Sequence, residues 1–322
     1  MTVLPRRHSV RLLGITLTAG SLLLAGCGSS EPATTSPSAG SAGSAGATSP
    51  IPVVASTNVY SSVVSIIGGD RVDVTSIIAD PSADPHSFEA DPQTQVAIAK
   101  AKIVIANGGG YDDFVGTMVK ATNTSPTQID VVELSGLEKS APVEDGKAFN
   151  EHVFYSTAAM RTLSAELVKD LSALDTAGAS TFAANAREFD AGLAAIDQRT
   201  GAIKAAHPGS LKAVVTEPVA DYLLAAAGFQ DVTPKDFAEA IEEENDPSVK
   251  DLADIDKLVS GKQVQLVAYN EQTSGPVVEQ VRSAAEKAGV PVLPVTETFP
   301  EGVTDYLAWI NGTLDTLEKE LG

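Results

Sequence analysis

The spacing of apolar positions changes along the chain, and each change marks a boundary. Leu12 to Ala25 is an apolar run broken only by Gly, Thr and Ser. It is too short to cross a bilayer comfortably and has the length of a signal-peptide core. Between 28 and 50 core-forming residues vanish, leaving Ser, Gly, Ala, Thr and Pro with one charge, Glu31. That composition predicts a flexible linker with a root-mean-square reach of about 25 Å. Short strand-like runs then alternate with helix-spaced segments. Ile51–Ser56, Val72–Ala79, Ile103–Ala106 and Gln128–Leu134 predict strands; Val59–Gly68, Gln93–Ala101 and a segment after Gly110 predict helices. Such alternation implies a parallel sheet covered on both faces.

The period then shifts. From Thr157 to Ala206 there is no strand-like run and almost no Pro or Gly, and Leu163, Leu167 and Leu171 recur at helical spacing. Two helices are predicted, broken near Asp175-Thr176-Ala177-Gly178, the second running from about Ser180 to Ala206, roughly 40 Å at 1.5 Å per residue. Alternation resumes with strand-like Leu211–Thr216, Val264–Tyr269 and Val290–Val295, helices between them, and a closing helix over Leu307–Leu321. The expected fold is α/β: two lobes, each a parallel-rich sheet flanked by helices, joined by one long rigid helix. The expected divisions are a leader (1–27), a linker (28–50), a first lobe (51–156), a helical connector (157–206) and a second lobe (207–322). Ligands of such folds sit beyond the carboxyl ends of the strands, in the crevice between lobes.

Charge and cysteine sharpen the N-terminus. Arg6, Arg7 and Arg11 precede the apolar run, which ends at Leu24-Ala25-Gly26-Cys27, a sequence that resembles a bacterial lipobox. Small residues there admit a peptidase, and the thiol accepts lipid. Cys27 is the only cysteine in the chain. The expectation is an exported lipoprotein, anchored through Cys27 to the outer face of the cell membrane. The Arg6-Arg7 pair leaves the export route open between the general and twin-arginine systems. With Cys27 lipidated, no disulfide and no thiolate metal ligand is available. Without the three leader arginines, 19 basic residues face 42 acidic ones, a net charge of −23. Nucleic acid is excluded as a partner on that balance, and a cation is favoured, although the same acidity also serves solubility.

Three histidines survive leader removal. His86 lies in Asp84-Pro85-His86-Ser87-Phe88-Glu89 after the second predicted strand, and His152 in Asn150-Glu151-His152-Val153 just before the helical middle. Both stand at the ends of regular elements, where binding residues concentrate. Glu217 follows Ala213-Val214-Val215-Thr216 and precedes Pro218. It reads equally as a carboxylate aimed into the cleft or as an acid at a helix N-terminus with proline at the first helical position. His207 ends the long helix, where a histidine suits the dipole. Asn107-Gly108-Gly109-Gly110 lacks the Lys-Ser/Thr of a phosphate loop and predicts a tight strand-to-helix turn instead.

These segments together resemble a family. Ser56 through Gly69, Asp84 through Glu89, Ala106 through Asp112, Thr216 through Leu223, and Val295-Thr296-Glu297-Thr298 with Tyr306 and Trp309 are similar, in order, to the metal-binding receptors of bacterial zinc and manganese ABC importers. The resemblance spans nearly all of Ile51–Leu321. It implies a C-clamp of two lobes around a long helix, with one divalent cation between them. It matches His86 to the first ligand, His152 to the second and Glu217 to the third. The fourth position departs from the family. The aspartate of manganese-type members is expected after the Val264–Tyr269 strand, where this chain reads Asn270-Glu271-Gln272-Thr273-Ser274. Glu271, Thr273 or water are the alternatives, with Glu271 the expectation. Two imidazoles and one or two carboxylates suit zinc, manganese or ferrous iron; the missing aspartate tips the expectation toward zinc. The implied protein is a monomeric receptor delivering its cation to a membrane permease, and not an enzyme. A metal-dependent hydrolase would want a His-Glu-x-x-His motif or a separate general base. A receptor for an organic solute would want a cleft arginine and aromatic walls, and the chain is 5% aromatic.

Overall fold

The computed structural model describes residues 49–322 apart from 82, 84, 86, 87, 89, 90, 141–148, 210, 243, 244 and 274. The leader, nearly all of the linker, Cys27 and His86 lie outside the described residues. Ala47–Gly322 is one compact unit. Its first part runs β1 (Ile51–Thr57), α1 (Asn58–Gly68), β2 (Val72–Ile78), α2 (Pro92–Lys100), β3 (Ile103–Ala106), α3 (Phe114–Ala121), β4 (Thr127–Asp130), α4 (Val131–Ser135) and α5 (Leu137–Ser140). Two long helices follow, α6 (Thr157–Leu174) and α7 (Ala179–Ala206). The last part runs β5 (Leu211–Val215), α8 (Asp221–Ala226), β6 (Phe229–Asp231), α9 (Lys235–Glu242), α10 (Val249–Ser260), β7 (Leu266–Asn270), α11 (Pro276–Ala288), β8 (Val292–Val295) and α12 (Tyr306–Leu321).

Each lobe holds a four-stranded, all-parallel sheet, in the orders β2-β1-β3-β4 and β6-β5-β7-β8. The interior strand β1 is buried nearly throughout, because helices cover both of its faces, whereas edge strand β2 alternates with Asp73 and Thr75 exposed. The two-residue side-chain period sorts the core into layers. Val53 and Ala55 of β1 face inward, and Val54 faces an outer layer with Ile98, Val104 and Val119. In the second lobe Ala213 and Val215 face inward, and Val214 faces an outer layer with Phe237, Ile255 and Val281. The inward layers of both lobes merge with α6 and α7 into a single apolar core. The lobes are therefore welded through the connector, not hung from a loop.

The long helix α7 has 28 residues, about 42 Å at 1.5 Å per residue. It grips both lobes. Asn185 Nδ2 donates to the Ile67 carbonyl of α1 at 3.0 Å. Arg199 donates to the Asn311 amide oxygen at 2.8 Å, to Asp315 at 2.7 Å and to Glu318 at 3.0 Å, all on α12. The predicted break before α7 is present: Asp175 accepts from the Ala177 and Gly178 amides and pairs with Arg71 of the first lobe.

Two sequence expectations need correction. Gln128–Leu134 is not one strand. The Asp130 carboxylate accepts from the Glu133 amide at 2.8 Å, capping α4 and turning buried Val131 and Val132 into a helix despite their β-branched side chains. The three-residue strand β6 was not expected; it follows Gly228, whose φ of 91° makes a turn too tight to show as an apolar run. Among the described residues no helix is long and apolar enough to cross a membrane.

Candidate metal centre

The site candidates stand on backbone fixed by polar contacts. In the first lobe, β3 ends in Asn107, and Gly108, Gly109 and Gly110 take φ of 80°, 70° and 100°. A Cβ on Gly108 would lie 2.2 Å from the Asp130 carboxylate, so glycine is required there. The buried Asp112 carboxylate closes this turn, accepting from the Asn107 amide at 2.7 Å and the Gly108 amide at 2.9 Å. Burial pushes its pKa up against these hydrogen bonds. The Asn107 side chain accepts from buried Tyr60 and donates to the Glu151 carbonyl at 3.0 Å. The turn thus sets the backbone immediately before His152. Asp112→Ala would strand two buried backbone donors, and unfolding in urea is expected to show a loss of about 3 kcal/mol.

His152 is 1% exposed. It begins a short 3-10 turn, Val153–Tyr155, that leads into α6. Its ring meets Tyr111 and Phe154 edge-on, with centroids 5.9 and 5.7 Å away. Asn150 fixes its tautomer. Asn150 Nδ2 donates to the Pro218 carbonyl at 2.7 Å, and Asn150 Oδ1 accepts from the His152 backbone amide at 3.0 Å, so the orientation of the side-chain amide is settled. The same Oδ1, 2.8 Å from His152 Nδ1, must accept from it. Nδ1 carries the proton, and Nε2 presents its lone pair. Tyr222 donates to the Asn150 carbonyl at 2.8 Å; burial and the nearby Glu151 and Asp221 push its pKa up to about 12, which keeps the donor protonated at neutral pH.

Glu217 lies past the end of β5, 6% exposed. The reading as a helix-terminal acid fails, because α8 starts at Asp221 with Ala220 at its N-cap, and Pro218 lies outside the helix. Asn150 joins the two candidates: the amide that orients His152 also holds Pro218, the residue after Glu217.

Glu271 is the expectation that the structure does not support. It is exposed, and its carboxylate accepts from Tyr269 at 3.3 Å on the outer side of β7. Thr273 instead receives the side-chain amide of Asn270 at 3.1 Å. The carboxylate brought to His152 is Glu297, just past β8. It is 2% exposed, and its Oε2 stands 3.9 Å from His152 Nε2. Asn270 Nδ2 donates to the other oxygen, Oε1, at 2.7 Å. The segment around Glu297 is tied from four directions. Tyr155 donates to the Thr296 carbonyl at 2.9 Å, and Trp309 to the Thr296 hydroxyl at 3.2 Å; Gln272 accepts from the Glu297 amide, and Asn58 from the Phe299 amide at 3.0 Å. The nearby negative charge adds to burial in pushing the Tyr111 phenol well above its ordinary range.

An imidazole lone pair and a carboxylate oxygen face each other here in a buried setting. A tetrahedral cation with bonds of about 2.0–2.1 Å sets neighbouring ligand atoms about 3.4 Å apart, so closure by about half an ångström seats one. Among the described residues, no three His, Cys, Asp or Glu side chains converge as a metal-holding group; His86 is not one of those residues. His207 does what its position suggests, with Nδ1 against the Ile203 carbonyl at 2.9 Å at the end of α7.

The profile of the family described as "Zinc-uptake complex component A periplasmic" (ZnuA) matches residues 53–320. The manganese-binding lipoprotein MntA of Halalkalibacterium halodurans is 27% identical over 168 residues, 52% of this chain and only about half, 51%, of the relative. MntA of Bacillus subtilis is 23% identical over 243 residues, 74% of this chain and 76% of that one. The periplasmic zinc-binding protein TroA of Treponema pallidum superposes with a TM-score of 0.71 at 17% identity, covering 85% of this chain and 100% of TroA. That likeness shows the shared two-lobe fold.

Proposed function

Because the chain belongs to the family of periplasmic zinc-uptake component A, we propose that it captures one divalent transition-metal ion, zinc or manganese, outside the cytoplasmic membrane and hands it to an ABC-type permease. The observation that carries the site is the buried approach of His152 Nε2 and Glu297 Oε2 across 3.9 Å. His86, His152, Glu217 and Glu297 are the ligands in this reading. His86 enters from its sequence motif, and Glu297 replaces Glu271.

This ligand set also changes the choice of metal. The expectation of zinc rested on a missing fourth carboxylate. With Glu297 present, the donors are two imidazole nitrogens and the oxygens of two carboxylates. That set serves four-coordinate zinc, and equally the harder manganese if a carboxylate binds through both oxygens. The printed names of the relatives, manganese-binding for MntA and zinc-binding for TroA, support the same pair of ions.

Lipidation at Cys27 and the 28–50 linker complete the proposal. An anchor keeps the loaded receptor near its permease at high effective concentration, and firm anchoring takes more than one acyl chain. A monomer suffices, because both lobes of the site come from one chain.

Metal removal tests the reading. Thermal unfolding of the protein stripped with a chelator, then reloaded with zinc or manganese at about a hundred times its Kd, is expected to show about 2.7 kcal/mol of added stability. Identical unfolding of the stripped and reloaded protein with both ions overturns the proposal.

A further inference from the structure

The Gln272 side chain touches both lobes. Its Oε1 accepts from the Glu297 amide at 2.5 Å and from the Thr298 amide at 3.2 Å. Its Nε2 donates to the Thr298 hydroxyl at 2.6 Å, and across the cleft to the Pro81 carbonyl at 2.9 Å and the Ala83 carbonyl at 3.3 Å. A primary amide offers two lone pairs and two N–H protons. Here both lone pairs are used in the second lobe. One proton goes to Thr298, and the other is shared between the two first-lobe carbonyls. The residue itself is held, because its backbone amide donates to Asn270 Oδ1 at 3.0 Å, and Asn270 in turn grips Glu297 Oε1.

The first-lobe end of this contact is the connection between β2 and α2. Ala83 closes a turn there through its amide to the Asp80 carbonyl at 3.1 Å. In sequence this same connection carries His86. One amide thus joins the backbone of a ligand in one lobe to the segment bearing a ligand in the other. We propose that Gln272 is an inter-lobe clasp, a positioning residue that ties the backbone of Glu297 to Pro81 and Ala83 of the first lobe and slows release of the cation. The effect on release rests on the metal-receptor reading above; the clasp itself does not.

The clasp belongs to a ligand set drawn from separate segments. The covalent chain between Pro81 and Glu297 is long, so these two segments need their own tie. A cation adds bonds across the same gap. With the clasp intact, the backbone of Glu297 and the Pro81 and Ala83 carbonyls are tied together before the cation arrives, which lowers the ordering cost of binding. With the clasp broken, Pro81 and Ala83 are no longer tied to the segment of Glu297, and the cation leaves faster.

Two variants of the full chain separate the two arms. Gln272→Met keeps the length and removes every hydrogen bond of the amide. Gln272→Glu keeps an acceptor for the Glu297 and Thr298 amides and loses the donor to Pro81 and Ala83. In the cation-free protein, amide hydrogen exchange across 79–91 is expected to speed up about tenfold in both variants. Exchange across 296–299 is expected to speed up in Gln272→Met only. Zinc dissociation into excess chelator is expected to be about tenfold faster from Gln272→Met than from the unsubstituted protein, in line with the loss of a bridging hydrogen bond or two. Unchanged exchange across 79–91 in both variants overturns the clasp. So does equal loss of protection at 296–299 in both, which would mean that the acceptor arm is not what holds Glu297. An unchanged zinc dissociation rate in Gln272→Met overturns the role in release. If the unsubstituted protein holds neither zinc nor manganese, the metal-receptor reading falls, while the exchange measurements still decide the clasp.

Discussion

His152→Ala is expected to weaken zinc and manganese binding at least about 100-fold by isothermal titration, the largest single loss in the molecule. Substitution of groups that merely orient a ligand costs about 10–100-fold in metal affinity, so removing a ligand must exceed that range. The ring is 1% exposed, set edge-on between Tyr111 and Phe154, and its alanine replacement leaves a void where neither aromatic neighbour offers a lone pair suited to a divalent ion. A companion variant separates coordination from packing. Asn150→Ala leaves the imidazole in place and removes the acceptor at 2.8 Å that holds the proton on Nδ1. Its affinity is expected to fall about 10–100-fold, with the fold intact by circular dichroism. Unchanged affinity in His152→Ala would remove the histidine from the site.

The second large effect discriminates between two glutamates. Glu297→Gln is expected to lower affinity at least about 30-fold, because a neutral amide replaces the anionic oxygen that faces His152 at 3.9 Å while the shape and the contact with Asn270 are kept. Charge loss at a buried ligand position is costly, since the cation has been taken out of water and depends on its carboxylates. Glu271→Gln is expected to change affinity less than about twofold. Its carboxylate is solvent-exposed beside Tyr269, where a charge is well screened. The reverse ranking would restore Glu271 as the ligand and contradict the placement of Glu297.

The fold was largely written in the periodicity. The buried run of β1, the switch to helical spacing at Leu163, Leu167 and Leu171, and the break at Asp175–Gly178 each state a local rule that the packing obeys. Failures came where a local side-chain contact outranked propensity. At Asp130 a capping carboxylate ended a strand that Val131 and Val132 would have continued. The site was legible in part. Glu217 stands out as a candidate because it follows an apolar strand in the second lobe, and the same rule applied to Val292–Val295 points to Glu297 two residues on. The family resemblance points instead to the loop after the neighbouring strand β7, one place away in the sheet. Strand order decides which loop faces His152, and strand order is a long-range fact that no window of sequence contains. The contacts of Asn150 with Pro218 and of Gln272 with Pro81 and Ala83 are hidden for a like reason, because these partners are distant in sequence.

The most direct test of a cation held between the lobes by Glu297 is anomalous X-ray scattering from crystals of the zinc- or manganese-loaded protein. The expected result is one strong peak about 2.0–2.2 Å from His152 Nε2 and from a Glu297 carboxylate oxygen, with Glu217 and His86 completing the shell. A peak beside Glu271 with Glu297 turned away, or no peak between the lobes at saturating metal, would contradict it.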